Sequence, residues 1–312
     1  MGVFVFLPLV LPLTAWPIAR LAEQHLHPRA ATWLLSAVAG VLAVCSTLCL
    51  ALLMVVGTAQ LPGNPLPDGW SDEEVRAAVP YDEVAGKAAI PALVAVVVAG
   101  ARVVWRHHRI RRRAERALSG LRGTSVAVLP DPLPYAYALP GERDRVVVST
   151  GLLAALGPAE RRAVFAHERA HLTGRHHRFL LVVQVAARAN PFLRPLRTAV
   201  TYTAERWADE EAARAVGSRR TVARAIGRSA LVSRGAPVAT LAGFAGFAAA
   251  GPVPRRVAAL LRPAPAGGTW PPVFTTVGLA VWGAAAGTTA SALSSANSAV
   301  TLFLILKAAT PV

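Results

Sequence analysis

His167, Glu168 and His171 stand as His-Glu-x-x-His within Ala166-His167-Glu168-Arg169-Ala170-His171-Leu172. Helix residues four apart share a face, so the two imidazoles can reach one metal ion. Glu168 stands where it can act as general base toward a water on that ion. The spacing alone is only moderately specific, because a chain with 8 His and 17 acidic residues can produce it by chance. A zinc site that performs chemistry takes three protein ligands and keeps a position for water. Downstream, Ala204-Glu205-Arg206-Trp207-Ala208-Asp209-Glu210-Glu211-Ala212 again places two acids four apart. Glu205 is therefore the expected third ligand, and Asp209 the carboxylate that hydrogen-bonds a ligand histidine and fixes its tautomer. Glu210 and Glu211 are expected to point elsewhere. The plainer alternative is a solvated helix face partnered by Arg206 and Arg214. It would win for Glu205 taken alone and loses once an intact motif helix precedes it. The cofactor expected is one Zn2+ per chain.

The elements that must carry this set are unusually apolar. Of 312 residues, 54% are hydrophobic and 16% charged, against about a quarter charged in an ordinary soluble domain. Mean hydropathy is +0.44. The formal net charge is +16, a balance that suits either nucleic acid or the cytoplasmic side of a membrane. Four apolar stretches are expected to span a bilayer: Val3 to Ile18, kinked by Pro8, Pro12 and Pro17; Ala31 to Gly57, free of charge; Ala88 to Trp105; and Pro271 to about Leu293. No Lys or Arg precedes the first stretch and no small-residue cleavage site follows it, which argues against a signal peptide. The run Arg106-His107-His108-Arg109-Ile110-Arg111-Arg112-Arg113 abuts the third stretch. Such a run is read as a topology anchor touching anionic lipid, rather than as a nucleic-acid site. It places residues 106–122, a basic linker, in the cytoplasm. The acidic loop 58–86 and both termini then lie outside. Within that loop, Ser71-Asp72-Glu73-Glu74 reads as a capped acidic helix. Trp16, Trp33, Trp70 and Trp105 lie near span ends, as interfacial aromatics do. Cys45 and Cys49, four apart in an apolar run, are packing residues and not a disulfide. The abundance of Ala, Arg and Pro resembles the coding bias of a GC-rich bacterium.

Residues 123–262 are the expected soluble domain. Ser125–Leu129, Tyr135–Leu139 and Arg145–Ser149 read as strands of a small sheet, followed by a short helical turn over Gly151–Leu156. Pro158 suits the first position of the motif helix, which is expected to continue through Phe179–Val183 until Pro191 and Pro195 break it. Thr198–Val216 is a second long helix closed by Gly217. Ser218–Arg234 is basic and amphipathic, Gly243–Gly251 flexible, and Pro254–Leu261 a short helix. The tail 294–312 fits either a prolonged helix or a surface segment. The fold class expected is therefore a mainly α membrane protein, with about four transmembrane helices and a cytoplasmic α+β domain holding a small sheet.

The motif, Arg175-His176 after it, and Glu205-x-x-x-Asp209, below several spans, resemble the gluzincin integral-membrane metallopeptidases. Three spans (1–105), a basic linker, a zinc domain (123–262) and a final span (271–293) resemble the BlaR/MecR type. Tyr135–Leu139 before Pro140-Gly141, then Val146–Ser149 and Gly151-Leu152-Leu153, resemble the HtpX type. The resemblance implies a zinc-dependent endopeptidase whose substrate pairs as an added strand along Tyr137, Ala138 and Leu139, with peptide or protein as substrate and a transcriptional repressor among the candidates. The alternatives are a signal-transducing receptor and an inactive scaffold with a structural metal site. The chain departs from both types. No penicillin-binding domain follows the last span, and where HtpX-type chains have a histidine, Gly251-Pro252-Val253-Pro254-Arg255-Arg256 has none. That leaves Tyr202 and Tyr137 as weak candidates for a transition-state donor, with core packing their plainer role. His176 and His177 are read as helix-surface residues or supports of the site. His25, His27, His107 and His108 are assigned no metal.

Overall fold

A computed structural model describes residues 6–61, 63, 66–71, 82–118, 120, 125–233, 252–265, 271–272 and 274–310. The acidic helix read from Ser71-Asp72-Glu73-Glu74, apart from Ser71, and the flexible segment Gly243–Gly251 lie outside these residues. The described chain is mostly helical, with a small mixed sheet.

The first apolar stretch forms α1 (Leu7–Val10), a 3-10 turn over Leu11–Thr14 and α2 (Ala15–His25). Pro8 and Pro12 sit in first-turn positions, where a missing N–H does no harm, so the chain stays helical but changes pitch. The long helices are α3 (Pro28–Ala59), α4 (Asp82–Ala117) and, near the end, α11 (Thr276–Ala308). Among the described residues these three are long and apolar enough to cross a membrane, over Pro28–Ala59, Val84–Ala117 and Thr276–Ala308.

Two of these helices run further than their composition suggests. α4 passes unbroken through the arginine run to Ala117. Arg is a good helix former, and after Pro91, four residues into the apolar stretch, nothing in the run stops the helix. The basic segment is thus largely the continuation of α4, a helix of spanning length. α11 likewise absorbs most of the 294–312 tail. Its far end is held beside Trp70, whose indole N–H donates to the Thr310 hydroxyl at 2.9 Å. That end of α11 therefore shares one end of the bundle with the residues following α3.

The sheet comprises β1 (Val126–Leu129), β2 (Ala136–Leu139) and β3 (Arg145–Ser149), in the order β1-β3-β2. β3 is central, parallel to β1 and antiparallel to β2, with Tyr137 opposite Val147 and Ala138 opposite Val146. One face buries Ala136 and Val148 against Leu152, Ala163 and Val164. The other buries Tyr137 and Val147 against Ala114 and Leu118 from the end of α4. The sheet is thereby held between the extended spanning helix and the helices that follow it: α5 (Thr150–Ala155), α6 (Pro158–Thr173), α7 (His176–Ala189), α8 (Arg194–Val216), α9 (Arg219–Val232) and α10 (Val253–Leu261).

The motif helix α6 is shorter than expected. Gly157 caps its start, with the Glu160 carboxylate accepting the Gly157 N–H at 2.8 Å. Gly174 ends it, and Arg175, at φ +49°, turns the chain into α7. That is a left-handed conformation unusual for a side chain other than Gly, Asn or Asp. α7 and α8 then pack on α3, so Val183, Ala186, Leu196 and Val200 share one core with Leu35, Ala39 and Leu42.

α3 and α4 touch backbone to backbone where Gly57 meets Gly86. A Cβ on Gly57 would lie 2.2 Å from the Gly86 carbonyl carbon, whereas one on Gly40 would meet Val182 at an ordinary 3.5 Å. Close approach through small residues is the usual basis of helix association in a bilayer. Gly57→Val should therefore lower the thermal midpoint of the detergent-purified chain by several degrees, and Gly40→Ala should leave it within about a degree.

Candidate metal centre

The buried face of α6 carries Ala163, Val164, His167, Glu168, Ala170 and His171, while Arg161, Arg162 and Arg169 face outward. α8 crosses behind it and is buried along nearly its whole length. Its i,i+4 pair Glu205 and Asp209 faces α6, as the spacing predicts. Glu210 and Glu211 turn away: Glu210 bridges Arg206 at 3.0 Å and Arg219 at 2.8 Å, and Glu211 bridges Arg214 at 2.8 Å.

His167 Nε2 and His171 Nε2 lie 3.1 Å apart. Glu205 places one carboxylate oxygen 3.4 Å from the first and the other 3.4 Å from the second. These three residues are grouped closely enough to hold one ion. Ligand atoms 2.0–2.1 Å from a tetrahedral zinc lie about 3.3 Å apart, so these separations are of the size that a zinc ion would need.

The remaining contacts orient the converging nitrogens toward one point. His167 Nδ1 lies 3.1 Å from Asp209 Oδ1, so that carboxylate can hold the Nδ1 proton while an ion displaces the one on Nε2. Burial alone would lower the His167 pKa, but Asp209 and Glu205 outweigh it and raise it to about 9, so without an ion the ring is charged. His171 Nδ1 lies 2.8 Å from His176 Nδ1. Burial pushes the His176 pKa down to about 3, and neighbouring His167 and His177 add to the effect. His176 is therefore neutral and can accept the His171 proton, which frees Nε2. Its ring rests against Trp207 with centroids 4.4 Å apart. A Cβ on Gly174 would meet His176 Nε2 at 2.4 Å, so the glycine that ends α6 also makes room for this ring.

Arg256, on α10, is absent from the residues expected above. It is fully buried. Its guanidinium donates to both Asp209 oxygens, at 2.9 and 2.6 Å, and lies 2.9 Å from Glu205 Oε2. Burial alone would raise the pKa of both acids, but Arg256 together with His167, and for Glu205 also His171, outweighs it and holds each below the usual carboxylate range. The available sequence signal is slight: Arg256 shares the buried face of a short amphipathic helix with Leu260. Its neighbour Arg255 takes the ordinary solvated role, bridging Glu23 at 2.7 Å and covering the Tyr202 ring at 4.2 Å.

Glu168 is fully buried beside the three converging groups, and burial pushes its pKa up to about 8, with His167 opposing and Glu205 adding to the shift. The backbone of Ala138 on β2 faces it, too loosely for a hydrogen bond of ordinary geometry. Of the three residues expected to receive substrate, Tyr137 and Leu139 turn their side chains to the α4 side of the sheet. Ala138 lies on the α6 side.

Removing Arg256 strands two buried carboxylates, so Arg256→Met should cost about 3–5 kcal/mol of stability and about 10–100-fold in metal affinity. Asp209→Asn added to it should recover part of the stability, as thermal melts of the metal-free protein would show. Because Asp209 and Glu205 are held below their ordinary range, the stability they contribute is complete above about pH 5 and is lost progressively as pH falls further.

Residues 101–188, covering the end of α4, the sheet, the motif helix and α7, match the model of peptidase family M48. No curated protein and no solved structure matches the chain. The chain is thus similar, over the segment that carries His167, Glu168 and His171, to a family of metallopeptidases.

Proposed function

We propose that this chain is a membrane-embedded zinc endopeptidase that cuts peptide bonds at the cytoplasmic face. The observation that carries the reading is the convergence of His167 Nε2, His171 Nε2 and the Glu205 carboxylate, 3.1–3.4 Å apart, with Glu168 buried beside them. The M48 match over residues 101–188 and the three helices of spanning length support it. His167, His171 and Glu205 would hold the ion. Bound there, zinc supplies Lewis acidity toward a water and a scissile carbonyl.

The chain's own residues perform the rest. Glu168 takes the proton of the attacking water and returns it to the leaving amine. Asp209 and His176 keep the ligand imidazoles in the productive tautomer, and Arg256 keeps Asp209 and Glu205 ionised.

Substrate docks on β2. In the antiparallel pairing with β3, Tyr135 and Ser149 are hydrogen-bonded partners. Alternation then makes Tyr137 and Leu139 the other inward-bonding residues, so Ala136 and Ala138 direct their N–H and C=O groups to the outer edge of β2. A peptide added to that edge lies along α6, its carbonyl within reach of Glu168. The cytoplasmic address follows from the arginines at the end of α4. A membrane-protein or repressor substrate, and hence regulatory proteolysis, is the finer reading.

Glu168→Gln should retain zinc and lose about 10²–10⁴-fold in turnover. Comparing peptide fragments in membranes from cells carrying wild type or Glu168→Gln tests this, and identical fragment sets would refute the assignment. Ala136→Pro, which removes one edge donor, should raise KM about 2–10-fold while largely sparing kcat.

A further inference from the structure

Two cavities meet at the cytoplasmic end of α3. One is an apolar groove of about 570 Å³ along the outer side of α3, walled by α11 and by Phe179 and Val182 of α7. The other is a cleft rimmed by Arg29, Arg169, Arg175 and Arg178. Trp33, Phe179 and Val182 line both, so groove and cleft are continuous. Trp33 is 56% exposed at the junction and packs edge-on against Phe179.

The cleft is unbalanced in charge. Its one carboxylate, Glu211, already bridges Arg214. None of the four arginines forms an ion pair with a carboxylate among the described residues, and all four are exposed. The groove is apolar except for the hydroxyls of Ser36 and Ser295, each about 96% buried and without a hydrogen-bond partner. From Trp33 to Leu48, α3 rises about 22 Å, and one leaflet's hydrocarbon is about 15 Å deep. An anion site at the membrane surface, an interfacial tryptophan and an apolar channel of leaflet depth with two hydroxyls follow one another in that order.

We propose that this chain binds an anionic phospholipid of the cytoplasmic leaflet, its phosphate in the Arg29–Arg175–Arg178 cleft and an acyl chain in the groove between α3 and α11. A transmembrane peptide would fit the groove but has no use for the arginines, whereas a lipid joins an anion to an apolar tail. This inference rests on α3 and α11 crossing the bilayer and is independent of peptidase activity.

The test is native mass spectrometry of the full chain, offered equal amounts of phosphatidylglycerol and phosphatidylcholine with the same acyl chains. Wild type should retain phosphatidylglycerol about 10–30-fold more than phosphatidylcholine, and Arg29→Gln/Arg178→Gln should bring the ratio to within about twofold. Ala37→Phe, which fills the groove, should weaken both lipids alike. In phosphatidylglycerol nanodiscs, a benzophenone side chain at position 44 should label lipid. Equal retention of the two lipids by wild type, a preference that survives the double arginine variant, or labelling of an added single-span peptide in place of lipid would each overturn the proposal.

Discussion

Charge balance inside a dry cluster is the constraint on which the rest depends. Glu168, Glu205 and Asp209 are all buried, and burying even one ionised carboxylate without a partner is prohibitive. Arg256 supplies one fixed positive charge against three negative ones. The remainder, two negative charges, is what a divalent cation neutralises. Without the cation, the cluster sheds charge by holding protons: burial drives the Glu168 pKa up to about 8, and the Asp209 and Glu205 carboxylates, outweighing burial, raise that of His167 to about 9. A bound cation and the arginine would therefore address the same electrostatic problem.

That constraint explains the architecture around it. α6 and α8 can face each other with charged residues only because α10 delivers a guanidinium between them. α10 arrives late in the chain, so the site closes only when a distant segment has folded. The sheet serves the same end differently. β3 is pinned centrally and β2 is left as the edge strand beside α6, with Ala136 and Ala138, too small to obstruct, on the side facing the site. The bundle contributes too, because α7 and α8 share a core with α3, fixing the metal-binding face against a helix of spanning length.

What the sequence shows and what it hides follow from the range of the interactions. His167, Glu168 and His171 are local, and helical periodicity places them on one face. Glu205 and Asp209 are legible because the same periodicity recurs 34 residues further on. Arg256 is hidden because Arg255-Arg256 looks like a solvated basic pair, and only tertiary contact distinguishes the exposed guanidinium on Glu23 from the buried one on Asp209. His176 is half legible, as either a surface residue or a support of the site: its role depends on the turn at Gly174-Arg175, which separates α6 from α7, where apolar composition suggests one continuous helix. Helix ends were the weakest part of the fold reading. The change from apolar to basic after Trp105 marks a change of surroundings, not of secondary structure, so α4 runs on. The lack of proline between Pro272 and Pro311 lets α11 do the same.

The central claim is that His167, His171 and Glu205 surround one catalytic-type metal ion. X-ray absorption at the zinc edge of the purified full-length chain tests it most directly. The account predicts one zinc per chain with a first shell of about two imidazole nitrogens and one or two oxygens at about 2.0–2.2 Å and no sulfur, and a loss of zinc in Glu205→Ala. A chain that binds no zinc, or a shell without imidazole scattering, would contradict it.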